Sequence, residues 1–175
     1  MVTLEVLKSA IRNVPDFPQP GIQFKDITTL LKQPDLYKLV VDTISDYYNP
    51  FGINKVVAVE SRGFIAGGAI ASKLEAGFVP VRKSGRLPAA VYTKTYELEY
   101  GEDTLEIHKD SLTSKDIVLI HDDLLATGGT ALAVIDLVKR FNVRKIYLNF
   151  IIELDYLKGR RKLSPPYEVY TLIHF

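Results

Sequence analysis

Residues 116–138 read DIVLIHDDLLATGGTALAVIDLV, and no other run in the chain predicts the architecture as well. An apolar, β-branched segment ends in two adjacent carboxylates, Asp122 and Asp123. The turn TGGT at 127–130 follows and leads into a second apolar segment. The first segment is typical of a buried strand and the second of a helix, so the run predicts a strand–turn–helix unit.

The turn and the two acids suit different chemical groups. Free backbone N–H groups at a helix start, together with the helix dipole, favour a phosphate, and glycines allow the backbone to approach it closely. Two carboxylates would repel that phosphate, but they accept hydrogen bonds from vicinal sugar hydroxyls or help to hold hydrated Mg²⁺. A sugar phosphate satisfies both halves. The alternative is a helix-capping turn beside solvated acids.

The same alternation of strands and helices continues along the chain. A turn is predicted at FPQPG, residues 17–21, and a hairpin or long mobile loop at 91–110. The pattern predicts helices at 4–14, 34–48, 63–75 and 130–141. It predicts strands at 55–60, 77–83, 116–121, 145–154 and 168–175. This order predicts an α/β fold with a twisted, mainly parallel sheet flanked by helices.

Composition limits the classes of function. The chain has 175 residues, so we expect a single domain over 1–175. The net charge of +1 argues against a nucleic-acid partner, despite the basic clusters VRKSGR at 81–86 and LKGRRKL at 157–163. There is no apolar run of about 18 residues and no signal-peptide pattern, so no membrane association is expected. The absence of cysteine fits a cytoplasmic location.

Three polar clusters fall at the carboxyl ends of predicted strands: residues 60–62, residues 82–83 and the Asp122–Asp123 pair. Ligands of doubly wound sheets bind at the carboxyl ends of strands, so these clusters are expected to meet. Neither a Walker P-loop nor a G-x-G-x-x-G fingerprint occurs. His121 beside the two acids admits a metal-dependent phosphohydrolase, but we favour a packing or supporting role for it, because the chain has three histidines in all.

The segment HDDLLATGGTA resembles the PRPP-binding motif of the type I phosphoribosyltransferases, where PRPP is 5-phosphoribosyl 1-diphosphate. Five further blocks resemble the adenine-specific members of that family: FPQPGIQFKDITTLL, VESRGFIAGGAIA, VPVRKSGRLP, YELEYGEDTLEIHKD and ELDYLKGRRKL. They lie in the family's order and extend from residue 17 to residue 163.

The resemblance implies transfer of a phosphoribosyl group from PRPP to adenine, which yields AMP and pyrophosphate in purine salvage. The reaction passes through an oxocarbenium-like ribose, with Mg²⁺ carried mainly by PRPP and possible help from Asp122 and Asp123. The resemblance further implies a homodimer, a small base-binding hood at 1–33 and a flexible catalytic loop or hairpin at 84–110.

The resemblance also assigns site residues. It implies that Glu99 moves the purine proton, that Tyr100 covers the ribose and diphosphate, and that the Glu60–Ser61 peptide bond is cis. The implied PRPP and AMP contacts are Asp122, Asp123, Leu124, Leu125, Ala126, Thr127, Gly128, Gly129 and Thr130. The implied pyrophosphate contacts are Ser61, Arg62, Arg82, Lys83 and Arg86. The implied adenine contacts are Gln23, Phe24, Lys25 and Leu124, with Lys25 at a position where arginine is frequent.

Two alternatives stay open at this stage. One is a phosphoribosyltransferase for another base, which the PRPP motif alone does not exclude. The other is a PRPP-sensing regulator without catalysis, for which we would expect a helix-turn-helix or a basic face.

Overall fold

The computed structural model of the chain describes residues 4–97, 101–163 and 165–175. Its helices are α1 (Leu4–Ser9), α2 (Thr28–Leu31), α3 (Pro34–Tyr48), α4 (Gly63–Lys73) and α5 (Gly129–Lys139). Its strands are β1 (Arg12–Pro15), β2 (Gln23–Asp26), β3 (Lys55–Val59), β4 (Gly77–Lys83), β5 (Val91–Glu97), β6 (Glu102–His108), β7 (Ile117–Leu125), β8 (Lys145–Glu153) and β9 (Glu168–His174). Short 3₁₀ segments occupy Asn49–Phe51, Asp155–Leu157 and Gly159–Lys162.

Seven of these strands form the central sheet, in the order β5-β6-β4-β3-β7-β8-β9. The five strands from β4 to β9 in this order pair in parallel, whereas β6 pairs antiparallel with both β4 and β5. The predicted mainly parallel α/β sheet is therefore confirmed. Strands β5 and β6 pair antiparallel, which agrees with the hairpin, one of the two predictions for segment 91–110. Strand β4 is added on one side of β3 and strand β7 on the other. The order in which strands are added therefore reverses at β3.

Apolar side chains pack on both faces of the sheet. Leu119 of β7 lies in one core with the buried residues of α1 to α4, whereas its neighbours Val118 and Ile120 lie in a second core with those of α5. Successive residues of a strand point to opposite faces, which is why one strand supplies both cores. Strand β7 is thereby fixed from both sides, and its carboxyl end has a defined position.

The predicted helix at 4–14 is wrong in its second half. Helix α1 ends at Ser9, and β1 then pairs antiparallel with β2, with Arg12 opposite Asp26 and Val14 opposite Phe24. Arg12 and Asp26 also form an ion pair, and hydrogen bonds from Thr28 and Arg12 lower the pKa of Asp26 to about 2. Pairing across the FPQPG turn therefore overrides the helical periodicity of the sequence.

Strand β7 is longer than predicted. The acids Asp122 and Asp123 lie within it, because the ladder with β8 continues to Leu125 opposite Glu153. The other predicted helices and strands occur within a few residues of their expected bounds. None of the helices in the described ranges is long and apolar enough to cross a membrane.

Candidate active site

The turn after β7 forms the base of a cavity. Residues 126–128 connect the strand to α5, and Gly128 adopts a left-handed conformation with φ of +83°. The first N–H groups of α5 lie beside this turn, where the helix dipole favours negative charge. A cavity of about 200 Å³, which we call the loop cavity, is lined by Arg62, Phe150 and residues 122–131. The turn predicted to bind phosphate thus borders an open cavity.

The two carboxylates lie at the junction of β7 and α4. Asp123 is 5% exposed, and its Oδ2 lies 2.9 Å from Nε of Arg62. The Asp122 carboxylate accepts a hydrogen bond of 2.9 Å from the backbone N–H of Asp123. Gly63 lets the start of α4 pack closely against Asp122, because a Cβ there would lie 2.9 Å from Oδ1 of Asp122.

Burial raises the pKa of both acids. Burial and then the neighbouring Asp123 carboxylate raise the pKa of Asp122 well above its ordinary value. Burial also raises the pKa of Asp123, although the Arg62 guanidinium opposes that shift. Two carboxylates this close repel each other when both are ionised, so a cation or hydroxyl donors would stabilise the pair.

A second cavity of about 290 Å³, the turn cavity, opens beside the turn after β3. The Glu60–Ser61 peptide bond there is cis, as the resemblance implied. Its lining consists of Val59, Glu60, Ser61, Arg62, Lys83, Tyr96, Asp103, Leu105, Asp122, Asp123 and Thr130.

The basic residues of segment 82–86 divide into two groups. Nζ of Lys83 lies 2.9 Å from Oδ2 of Asp103 at the turn cavity, and this contact raises the pKa of Lys83. Arg82 and Arg86 instead both bind the Glu60 carboxylate. Burial alone would raise the pKa of Glu60, but the hydrogen bond from Lys83 N and the Arg82 guanidinium outweigh it, so the pKa is lowered. Neither arginine lines the loop cavity or the turn cavity.

A third cavity, which we call the large cavity because its volume of about 600 Å³ exceeds those of the other two, lies between the β1–β2 hairpin and the rest of the molecule. Phe24 forms part of its wall, stacked edge-on against Phe17 at 5.2 Å between ring centroids. The Arg62 guanidinium lies 5.1 Å from the centre of the Phe24 ring. The predicted base contacts Gln23, Phe24, Lys25 and Leu124 all line this large cavity.

Thr130 joins the three cavities into one cleft, because it lines each of them. Its hydroxyl donates a hydrogen bond of 3.3 Å to the Tyr96 hydroxyl, and Tyr96 lines both the large cavity and the turn cavity. The cleft is thus an apolar chamber that continues into two polar ones.

Comparisons with known proteins agree with this geometry. The family model described as the phosphoribosyl transferase domain matches residues 26–173. The chain is 53% identical over 169 residues to the adenine phosphoribosyltransferase of Phocaeicola vulgatus, covering 97% of both chains. It is 54% identical over 172 residues to that of Citrifermentans bemidjiense, covering 98% of this chain and 100% of the relative.

The chain belongs to the adenine phosphoribosyltransferase family. Solved structures give the same result. The crystal structure of the Rhodothermus marinus adenine phosphoribosyltransferase superposes with a TM-score of 0.92 at 51% identity, covering 98% of both chains. The Giardia lamblia enzyme complexed with 9-deazaadenine superposes with a TM-score of 0.95 at 40% identity, covering 100% of this chain and 99% of that one. The protein is an enzyme with the type I phosphoribosyltransferase fold.

Two site predictions for this phosphoribosyltransferase lie outside the described residues. These are Glu99 and Tyr100, which follow β5 and precede β6 in the sequence. Glu97, the last described residue before them, lines the large cavity, and Asp103 beyond them lines the turn cavity. The two strands of the hairpin therefore border the cleft.

His121 is fully buried and lines none of the three cavities found among the described residues. Its Nδ1 lies 2.7 Å from Oδ1 of Asn149 on β8, and burial lowers its pKa to about 4. This agrees with the packing role favoured from the sequence.

Sequence reasoning missed several residues of the cleft in this adenine phosphoribosyltransferase. They are Tyr96 and Asp103 of the hairpin, and Leu154, Tyr156 and Leu157 near the end of β8. The last three fall in ELDYLKGRRKL, which carried the resemblance but received no role in the site. A signal was present, since polar and apolar residues follow β8 directly at the same edge of the sheet as β3 and β7.

Proposed function

We propose that the protein transfers the 5-phosphoribosyl group from PRPP to adenine, releasing AMP and pyrophosphate. The observation that supports this most directly is the continuous cleft in which Thr130 lines all three cavities. An apolar chamber of about 600 Å³ has the usual size of a small-molecule site. The two smaller cavities carry N–H groups, carboxylates and a lysine, the groups that a ribose with two phosphate substituents needs.

The loop cavity suits the ribose 5-phosphate part of PRPP. Residues 126–130 offer backbone N–H groups at the start of α5, where the helix dipole favours the 5′-phosphate. Asp122 and Asp123 would accept hydrogen bonds from the ribose hydroxyls. Leu124 and Leu125 continue β7 between the acids and the turn and set the distance between these two functions.

The turn cavity suits the diphosphate. We assign contacts with it to Ser61, Arg62 and Lys83, all of which line this cavity. Arg82 and Arg86 belong to the same proposed set, and they would need to exchange their Glu60 contact for the ligand.

The residues present also fit Mg²⁺ carried by PRPP. Mg²⁺ is usually held by one or two carboxylates together with substrate phosphates, and Asp122 and Asp123 line both polar cavities. The ion would neutralise charge on the departing diphosphate.

The large cavity suits adenine. Phe24 and Leu124 would contact the two faces of the purine ring, while the backbone around Gln23 reads its amino and ring-nitrogen edge. The Gln23 side chain is already engaged, since its Oε1 accepts a hydrogen bond of 2.6 Å from Asn13. Lys25 lacks a planar fork, and its ammonium lies 4.2 Å from the centre of the Phe175 ring.

Catalysis needs a proton acceptor or donor at the purine and protection of the cationic ribose from water. We assign the proton transfer to Glu99 and the covering role to Tyr100. A carboxylate in a closed, dry site has a raised pKa, which suits this exchange. Closure of the β5–β6 hairpin within the proposed mobile segment 84–110 would exclude water.

We further propose a cytoplasmic homodimer with residues 1–33 as the base-binding hood. Ile65 of α4 and Phe78 of β4 are large apolar side chains that are 46% and 40% exposed, which supports association through this face. A chain without cysteine requires no oxidising compartment. Light scattering after size-exclusion chromatography measures the molar mass in solution and so tests the dimer. A monomeric mass contradicts it.

The deciding experiment incubates the protein with Mg²⁺, PRPP and adenine, hypoxanthine, guanine, xanthine or uracil in parallel. Consumption of adenine with release of AMP and pyrophosphate is expected. Turnover of another base without adenine would instead indicate a phosphoribosyltransferase of different specificity. PRPP-dependent nucleic-acid binding without turnover would indicate a regulator.

A further inference from the structure

Gly159 packs its backbone directly against the turn at 126–128. A Cβ at Gly159 would collide with the carbonyl oxygen of Ala126, much closer than the 3.0 Å that Cβ atoms keep, and would lie 3.0 Å from N of Gly128. In the reverse direction, a Cβ at Gly128 would lie 2.9 Å from the carbonyl oxygen of Gly159. Two stretches of main chain therefore touch with no side chain between them.

The residue after Gly159 is anchored to the sheet. Nε of Arg160 donates hydrogen bonds of 3.0 and 3.1 Å to the two carboxylate oxygens of Glu153, the last residue of β8. Nη1 of Arg160 donates to the carbonyl oxygen of Val169 at 2.8 Å, and the Thr171 hydroxyl donates to Glu153 at 2.9 Å. The Glu153 side chain is 5% exposed, so this network fixes Gly159 relative to β8 and β9.

The same network argues against a metal at this place. Glu153, Asp155 and His174 lie close enough together to share an ion. The Arg160 guanidinium, however, already binds both oxygens of Glu153, and His174 lies 2.9 Å from Asp155. The cluster is therefore occupied by its own ion pairs and acts as an anchor.

We propose that Gly159 is a positioning residue for the 5′-phosphate turn, and that the Glu153–Arg160 ion pair holds it there. The inference rests on the proposed function, in which residues 126–130 bind the 5′-phosphate of PRPP and AMP. Phosphate binding needs several N–H groups aimed at one point. The main chain at Gly159 packs directly against this turn, and a Cβ there would displace Ala126 and Gly128.

The test compares Gly159→Ala with Gly68→Ala. Gly68 lies on α4 and has no atom within 4 Å of a Cβ placed there, so it receives the same methyl group without a clash. Calorimetry measures the Kd of AMP and of adenosine, which differ only in the 5′-phosphate. For Gly159→Ala we expect AMP to bind about tenfold more weakly or worse, the loss of one charge-assisted hydrogen bond, while adenosine binding is unchanged.

Steady-state kinetics gives a second readout. The KM for PRPP should rise in Gly159→Ala, and the KM for adenine should not. A general disturbance of the fold would weaken AMP and adenosine equally, and that result, or an unchanged AMP affinity, overturns the inference. If wild type itself binds AMP no better than adenosine, the proposed 5′-phosphate site fails instead.

A second variant keeps the inference testable if Gly159→Ala does not fold. Arg160→Lys retains the charge but loses the planar fork that binds both Glu153 oxygens. Relative to wild type it should reduce the preference for AMP over adenosine, whereas Lys162→Arg in the same 3₁₀ segment should leave that preference unchanged. An undiminished preference in Arg160→Lys removes the ion pair from the proposal.

Discussion

Arg62 and Asp123 form an ion pair of 2.9 Å that connects the start of α4 to strand β7. Arg62 follows β3, and Asp123 lies in β7. These two strands are neighbours in the sheet, at the point where the order of strand addition reverses. The Arg62 guanidinium also lies over the Phe24 ring. One side chain thus contacts one of the two proposed ribose carboxylates and the wall of the large cavity.

The double variant Asp122→Asn/Asp123→Asn should lose PRPP affinity. Each carboxylate would accept a hydrogen bond from a ribose hydroxyl, and amides accept these less strongly and bind Mg²⁺ poorly. We expect the KM for PRPP to rise by about tenfold or more. Initial rates at saturating adenine and varied PRPP measure this, with Asp46→Asn as a control because Asp46 lies on α3 with a side chain that is 75% exposed. An unchanged KM would remove both acids from the ribose site.

Glu99→Gln should lower kcat, because an amide does not exchange a proton with the purine. A positioned general acid or base contributes a factor of roughly 10² to 10⁴. Single-turnover measurements of AMP formation check the chemical step itself. Glu97→Gln and Glu102→Gln are matched comparisons on the two strands of the same hairpin. Near-normal single-turnover rates in Glu99→Gln would falsify the assignment, and a selective loss in Glu97→Gln would move it to that residue.

Lys83→Gln should weaken pyrophosphate binding more than Arg82→Gln does. Lys83 lines the turn cavity, whereas Arg82 is held by Glu60. We expect the inhibition constant for pyrophosphate to rise by about tenfold in Lys83→Gln, as for one lost ammonium–phosphate contact. The control variant is Lys115→Gln. Lys115 is exposed and precedes the amino end of β7, whereas the cavities lie at its carboxyl end. The reverse order of effects would show that Arg82 leaves Glu60 when ligand binds.

Stability should fall as the pH is lowered from 6.5 towards 4. Burial lowers the pKa of His121 to about 4 in the folded protein, from an ordinary value of 6.5. Between these values the unfolded chain binds more protons than the folded one, so the contribution of His121 is complete above pH 6.5 and declines below it. The difference corresponds to about 3 kcal/mol of unfolding free energy.

Urea unfolding at several pH values measures this contribution in wild type and in His121→Leu. Carboxylates titrate in both proteins, so the difference between the two curves isolates His121. We expect the advantage of wild type over the variant to shrink by about 3 kcal/mol between pH 7 and pH 4. Parallel curves would show that His121 does not titrate in this range.

The sequence predicted the parts of the site that depend on local patterns. A strand followed by a glycine turn and a helix has a strong signature, and residues 116–138 fold as expected apart from the longer strand. The alternation at 91–110 predicted either a hairpin or a long mobile loop, and β5 and β6 pair antiparallel as the first of these requires. The β1–β2 hairpin was missed because the apolar spacing of residues 4–14 fits a helix, while the pairing of Arg12 with Asp26 depends on residues beyond the turn.

Contacts between distant segments could not be predicted. The sequence gives no sign that Gly159 touches Ala126 and Gly128, since this depends on how β8 and β9 place the 3₁₀ segment Gly159–Lys162. Nor does it show that Glu60 binds Arg82 and Arg86, which leaves Lys83 as the basic residue of this segment at the cavity. Such relationships arise from the packing of the whole sheet.

The two halves of the cleft are built differently. One continuous run, 122–131, lines most of the loop cavity. The large cavity is lined by residues from four separate segments, 18–25, 96–97, 124–130 and 154–157. With the base in the large cavity, as proposed, changes in the β1–β2 hairpin would alter which nucleobase binds while the sugar-phosphate contacts proposed for 122–131 stay intact. This separation makes the scaffold suited to directed evolution towards modified bases, in which libraries would vary 18–25 and leave 122–131 untouched.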